Sequence, residues 1–150
     1  MTDIQQYVTR QPLEVETFFA MVDATAALVG VSERYWHSQG LNGARIRILV
    51  EIAKAGGAIL PTDLAARIGV TKPNVSVLLA PLEEAGYIRS SSHPDDGRKR
   101  RIQLTTEGER LLFEKLPGSR AVVSGRMDRL SQAELRQLRE LCAKLRGEDE

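Results

Sequence analysis

With a single cysteine, Cys142, among its 150 residues, the chain can close no internal disulfide. Its only histidines, His37 and His93, lack the Cys/His spacing of a zinc site. Each reads as a surface or capping residue, and neither a metal nor a cofactor is expected. No nucleophile is paired with a base and no glycine loop is built to cradle phosphate, which argues against an enzyme. There is no apolar run of membrane-spanning length, and Met1 to Arg10 lacks the charged-then-apolar pattern of a leader. The expected location is the cytoplasm, without membrane contact. A formal net charge of +1 excludes the wholly basic coat of a packaging protein. The length suits one domain with appendages, large enough to bury a core without staples.

Against this near-neutral total, one segment concentrates charge. Between Tyr87 and Leu104 stand five cations (Arg89, Arg98, Lys99, Arg100, Arg101) and two aspartates (Asp95, Asp96), a local excess of +3. Tyr87 to Ser92 and Arg101 to Leu104 read as two strands around the Gly97 turn, with Ile102 and Leu104 on one face and Arg101 and Gln103 on the other. A basic hairpin tip of this kind reaches for phosphate; taken alone, it could equally be a solvated turn guarding an edge strand.

The preceding segment decides between these readings. Pro61 suits a first helical position, Leu64, Ala65 and Ile68 recur at helical spacing, and Gly69 stops that helix. Thr71 can cap the next, whose Val75, Leu78, Leu79 and Leu82 form an inward stripe. The opposite face carries Pro73, Ser76, Val77 and Ala80, with Lys72 and Asn74 beside it, small and polar enough for a major groove about 12 Å wide. A helix-turn-helix followed at once by a basic hairpin is a winged helix.

The Leu41-to-Gly56 helix, Leu64-Ala65-Ala66-Arg67-Ile68-Gly69-Val70-Thr71, Leu78 to Arg89, and His93-Pro94-Asp95-Asp96-Gly97-Arg98 leading to Leu104-Thr105-Thr106-Glu107-Gly108 together resemble the MarR family of bacterial transcription regulators over nearly the whole chain. The most specific element is the wing motif Asp-x-Arg, here Asp96 and Arg98. The resemblance implies a mostly α fold with a small β-hairpin wing: a winged helix-turn-helix lobe over residues 41–105 and dimerisation helices over 11–39 and 106–147, within one domain spanning 1–150. It implies a repressor of a palindromic operator in double-stranded DNA, with no enzymatic activity. Arg98 would enter the minor groove and Asp96 would brace the wing through a salt bridge to a neighbouring arginine. The full DNA-binding set is then Thr71, Lys72, Pro73, Asn74, Ser76, Val77, Arg89, Arg98, Lys99, Arg100 and Arg101. Two residues depart from the family: Val77 stands where many members carry an arginine, and Pro81 should kink or loosen the helix near Val77.

Both ends of the chain read as helical. Leu13 to Tyr35 carries too many apolar residues for one winged helix to cover. Thr106-Glu107-Gly108-Glu109 reads as a capping box opening a helix that Pro117-Gly118 interrupts, and Ser131-Gln132-Ala133-Glu134 as a second one before the stripe Leu135, Leu138, Leu141, Cys142 and Leu145. On that stripe Cys142 is expected to be buried and inert; the peroxide-sensing cysteine of some relatives lies near the N-terminal helix, where this chain has none. The terminal stripes can pair within the chain or, as the family implies, interlock two chains into a homodimer. MarR-like regulators commonly release DNA when a small, often aromatic, molecule wedges between dimer helices and winged helix, which would bring in Tyr35, Trp36, His37, Ser38 and Arg45; the Tyr-Trp pair can also be simple packing.

Overall fold

The computed structural model describes residues 1–92 and 94–148; His93, expected at the surface or in a cap, lies outside the described residues. The order of elements is α1 (Asp3–Thr9), α2 (Leu13–Ser38), α3 (Gly43–Lys54), β1 (Ala58–Ile59), α4 (Pro61–Ile68), α5 (Lys72–Glu84), β2 (Ile88–Ser92), β3 (Arg100–Leu104), α6 (Thr106–Met127) and α7 (Gln132–Leu145). They form two compact units, Tyr35–Ala121 and a second one made of Met1–Arg34 with the segment from Val122 onward.

The first unit holds the core. Asn42 caps α3, its side chain accepting from Arg45 N–H at 2.9 Å, and α3 sends Ile46, Ile48, Leu49 and Ile52 into the interior. Pro61 opens α4, where its missing N–H costs no helical bond, and Gly69 closes it in the left-handed region with φ 74°, its N–H reaching Ala65 O at 2.9 Å. Thr71 occupies the N-cap of α5, but its hydroxyl makes no capping bond. Helix α5 buries Val75 and Leu82, and Leu78 and Leu79 pack against the same core. It runs unbroken through Pro81, so the proline does not end it; the missing N–H leaves the Val77 carbonyl without its helical partner, on a residue already 72% exposed.

Strand β1, not anticipated from the sequence, widens the hairpin into a three-stranded antiparallel sheet of order β1-β3-β2, with Ile102 opposite Ile59 on one side and Ser90 on the other. Ile59, Ile88 and Ile102 face the core from the three strands. Helix α6 starts one residue earlier than the expected capping box. Thr105 caps it, its hydroxyl accepting from Gly108 N–H at 3.1 Å and donating to Gly86 O at 2.6 Å, which ties the helix to the end of α5. Pro117-Gly118 does not interrupt α6, which continues to Met127. Gly118 is there for closeness: a Cβ at this position would collide with the Tyr35 ring, whose hydroxyl donates to Lys115 O at 2.7 Å.

The second unit is helical without an interior of its own: among the described residues, none of its hydrophobic side chains is buried. Helix α1, which the sequence reading missed, opens with a capping box between Thr2 and Gln5, and the Thr-x-x-Gln spacing was its signal. The Ser131–Glu134 capping box opens α7 where expected, with bonds of 2.9 and 3.1 Å. Cys142 is half-buried in the single chain, not fully buried, because Leu138, Leu141 and Leu145 beside it are exposed. Helix α2 corrects the membrane reading in one respect. Its 18-residue window of mean hydropathy 1.4 is long and apolar enough to cross a bilayer, although Asp23 falls inside any such window.

Candidate nucleic-acid interface

The inward stripe of α5 fixes what the helix shows to solvent. With Val75 and Leu82 in the core, Lys72, Pro73, Asn74, Ser76, Val77 and Ala80 are all exposed. Lys72, Ser76 and Ala80 form one wall of an open groove of about 630 Å³, and the wing supplies Arg98, Lys99 and Arg100 to the other. The start of α4 (Leu60, Pro61, Thr62) closes one end. Pro73, Asn74 and Val77 on the same helix, and Thr71 at its N-cap, stand outside the groove. Glu83 accepts from Ser90 N–H at 3.2 Å, which ties the edge strand β2 to α5 and holds the two walls together.

The wing turn is held by Asp96, in a different way from the expected salt bridge. Its carboxylate accepts from Arg98 N–H at 3.0 Å and its carbonyl from Lys99 N–H at 3.0 Å; among the described residues it pairs with no arginine. Asparagine and aspartate favour such local bonds to the backbone two residues on. The Arg98 side chain is therefore left free of its neighbour and exposed.

Strand alternation separates the cations. Ile88, Ser90, Arg100 and Ile102 line the groove, so Arg89, Ser91, Arg101 and Gln103 belong to the opposite face of the sheet. There Arg89 reaches Gln103 Oε1 at 3.5 Å, and Ser91 reaches the same oxygen at 3.2 Å. Arg101 lines a separate cavity with Asp63, Ala66 and Arg67, and its Nε is buried without a partner among the described residues. Of the eleven residues named for DNA, the groove thus gathers Lys72, Ser76, Arg98, Lys99 and Arg100, and leaves Arg89 and Arg101 behind it.

The five residues named for a ligand, with Ser38 exposed, do not converge on one pocket. Trp36 is 3% exposed within the core and meets Tyr35 edge-on, ring centroids 4.9 Å apart at 69°. His37 and Arg45 are exposed. A mostly apolar cavity of about 500 Å³ lies instead between the end of α3 and the turn after it (Ala53, Gly56, Gly57), Leu104 and α6 (Leu112, Phe113, Leu116, Pro117), and Glu109 and Arg120 of α6 also line it. The sequence reading missed it; the i, i+4, i+7, i+11 spacing of Glu109, Phe113, Leu116 and Arg120 on one helix face was the available signal. Among the described residues no cluster of His, Cys, Asp or Glu could hold a metal.

A helix-turn-helix whose second helix shares an open cationic groove with a β wing defines a winged-helix DNA-binding protein. Residues 39–99 match the MarR family. The chain is 35% identical over 121 residues to the HTH-type transcriptional repressor YetL of Bacillus subtilis (strain 168), an alignment covering 80% of this chain and 72% of that protein. A MarR family transcriptional regulator from Streptomyces coelicolor, solved in complex with DNA, superposes with a TM-score of 0.79 at 25% identity over 91% of this chain and 88% of that one. An organohalide-sensing transcriptional regulator, solved in its 2,4-dichlorophenol-bound form, shares the fold with a TM-score of 0.82 at 22% identity, covering 99% and 86%. The chain belongs to the MarR family and is a transcriptional regulator, as its wing motif implied, and not an enzyme.

Proposed function

We propose that the protein is a cytoplasmic homodimeric repressor that grips a palindromic operator through two copies of the α5–wing groove and leaves it when a small molecule binds. The groove carries this reading: five residues expected to touch DNA, from two segments more than twenty positions apart, line one open concavity. Lys72 at the start of α5 and Lys99 and Arg100 on the wing neutralise phosphate; Ser76, with Asn74 and Val77 beside it, meets base edges; Arg98 enters the minor groove, where negative potential favours arginine. Thr71 and Pro73 shape the entry to the helix. Residues 41–105 serve as the DNA-binding lobe.

The dimer rests on the second unit. Phe18, Phe19 and Val22 on α2 and Leu138, Leu141 and Leu145 on α7 are all exposed in the single chain, in a unit with no buried hydrophobic side chain among the described residues. Helices this apolar need a partner surface, and a second copy, supplying residues 11–39 and 106–147, provides a self-complementary one. A partner helix is also the environment that suits α2 without a bilayer.

The effector belongs in the cavity between α3, β3 and α6 in preference to the Tyr35, Trp36, His37 and Arg45 set, because Trp36 is core and the Tyr35 hydroxyl is already bonded. Apolar walls that also carry Glu109 and Arg120 suit an aryl or phenolic compound, whose polar end these two side chains can meet. The solved neighbour bound to 2,4-dichlorophenol supports this class of ligand. The test is duplex binding by the purified chain with and without such a compound: an effector that favours the DNA-free dimer must lower DNA affinity by the same factor that DNA lowers its own. Binding of the effector with no change in duplex affinity would remove the release step, and duplex binding insensitive to salt would remove the groove.

A further inference from the structure

Arg101, like Arg89, is a wing cation that lies outside the groove, and its surroundings do not fit a contact to DNA. It follows Arg100 on β3, and the alternation that aims Arg100 into the groove turns Arg101 away from it. Its residue is half-buried and its Nε fully so, with no partner among the described residues. A buried donor on a permanent cation is costly to leave unmatched, and Arg101 does not line the groove in which phosphate would be met. The cavity it enters, about 610 Å³ between β1, β3 and α4, is lined by a single acid, Asp63. The second cation there, Arg67, is engaged with Glu51 at 3.7 Å, whereas the Asp63 side chain is exposed and makes no hydrogen bond or ion pair among the described residues. Asp63 lies in the first turn of α4, the helix that leads into α5.

We infer that Arg101 is a positioning residue: pairing with Asp63 across this cavity, it fastens the wing strand to the helix-turn-helix and so sets where Arg98, three residues earlier, meets the minor groove. This rests on the reading of the wing as a DNA contact. It also moves Arg101 out of the set of phosphate ligands.

The experiment is a double-mutant cycle on the full chain, with Arg101→Gln, Asp63→Asn, the double variant, and Arg98→Ala as control. Affinity is measured for a duplex that the unmodified protein selects from random sequence, and for the same duplex with its A/T flanks replaced by G/C. A coupled pair predicts that each single change costs about tenfold on the A/T-flanked duplex and that the double costs no more than the worse single. The cost should shrink on the G/C-flanked duplex, and the salt slope should stay at its unmodified value. Arg101→Lys should recover part of the loss by keeping the charge. Additive losses, equal losses on both duplexes, or a flatter salt slope for Arg101→Gln would overturn the assignment. Where Arg101→Gln fails to fold, Asp63→Asn at its exposed position carries the test alone, through the flank dependence. A silent Arg98→Ala would instead bring down the underlying wing reading, and this proposal with it.

Discussion

Removing one cation from each face of the wing sheet should separate phosphate contacts from bystanders. Four cations of each chain (Lys72, Arg98, Lys99, Arg100) line the groove, so a dimer engaged on its operator presents twice that number to the duplex. Each neutralised phosphate contributes about −0.9 to the slope of log affinity against log salt, so the three phosphate cations of each chain (Lys72, Lys99, Arg100) give the dimer a slope of about −5. Between 50 and 200 mM salt that slope costs on the order of 10³-fold in affinity. Lys99→Ala deletes one contact per chain and should flatten the slope by about 2. Arg89→Ala removes a cation of the same sign from the same hairpin, but one that reaches Gln103 on the opposite face, and should leave the slope unchanged. Fluorescence anisotropy of a labelled duplex at four or five salt concentrations measures all three proteins. Equal flattening by both substitutions would refute the argument from strand alternation, because it would mean that the two faces of the sheet see the same phosphates.

Leu141→Glu places a charge in the exposed α7 stripe and should yield monomers that lose palindrome binding, read by sedimentation velocity; a dimer of unchanged affinity would put the interface elsewhere. Gly118→Ala drives a methyl group into the Tyr35 ring and should cost about 1 to 3 kcal/mol, while Tyr35→Phe, which only removes the bond to Lys115 O, should cost about 1 kcal/mol. Thermal unfolding ranks the two, and an unperturbed Gly118→Ala would show that the approach of α6 to Tyr35 is loose. The Ser131 backbone N–H, followed by its hydroxyl, holds the Glu134 carboxyl below the ordinary glutamate range. A depressed folded-state value means that the contribution is present above the unfolded value and lost as pH falls through the folded one. The start of α7 should therefore fray on acidification in that window, visible as faster amide exchange there; Glu134→Gln should remove the pH dependence, and its persistence would place the titrating group elsewhere.

Local signals read well because their causes are local. A proline at a first turn, a glycine in the left-handed region at φ 74° and a serine three residues before a glutamate act over one turn of backbone, and Pro61, Gly69 and Ser131–Glu134 each did what their chemistry implies. The same logic failed where a distant residue intervened. Pro117-Gly118 has the composition of a break, yet α6 runs on, with a partner eighty positions away, Tyr35, filling the space its glycine leaves. Thr105, not Thr106, became the cap because its hydroxyl is also held by Gly86.

The amino-acid sequence by itself determined the winged-helix order and a hairpin dense in cations, since periodicity and turn chemistry are properties of neighbouring residues. Only the tertiary structure decided which of those cations serve the groove. The direction of Arg89, Arg100 and Arg101 depends on pairing between β2 and β3 and on which sheet face Ile88 and Ile102 commit to the core. Likewise Trp36, at a helix end that looked open, was claimed by core residues as remote as Leu112. Facing is set by burial against residues far along the chain, and no count of charges along a strand contains it.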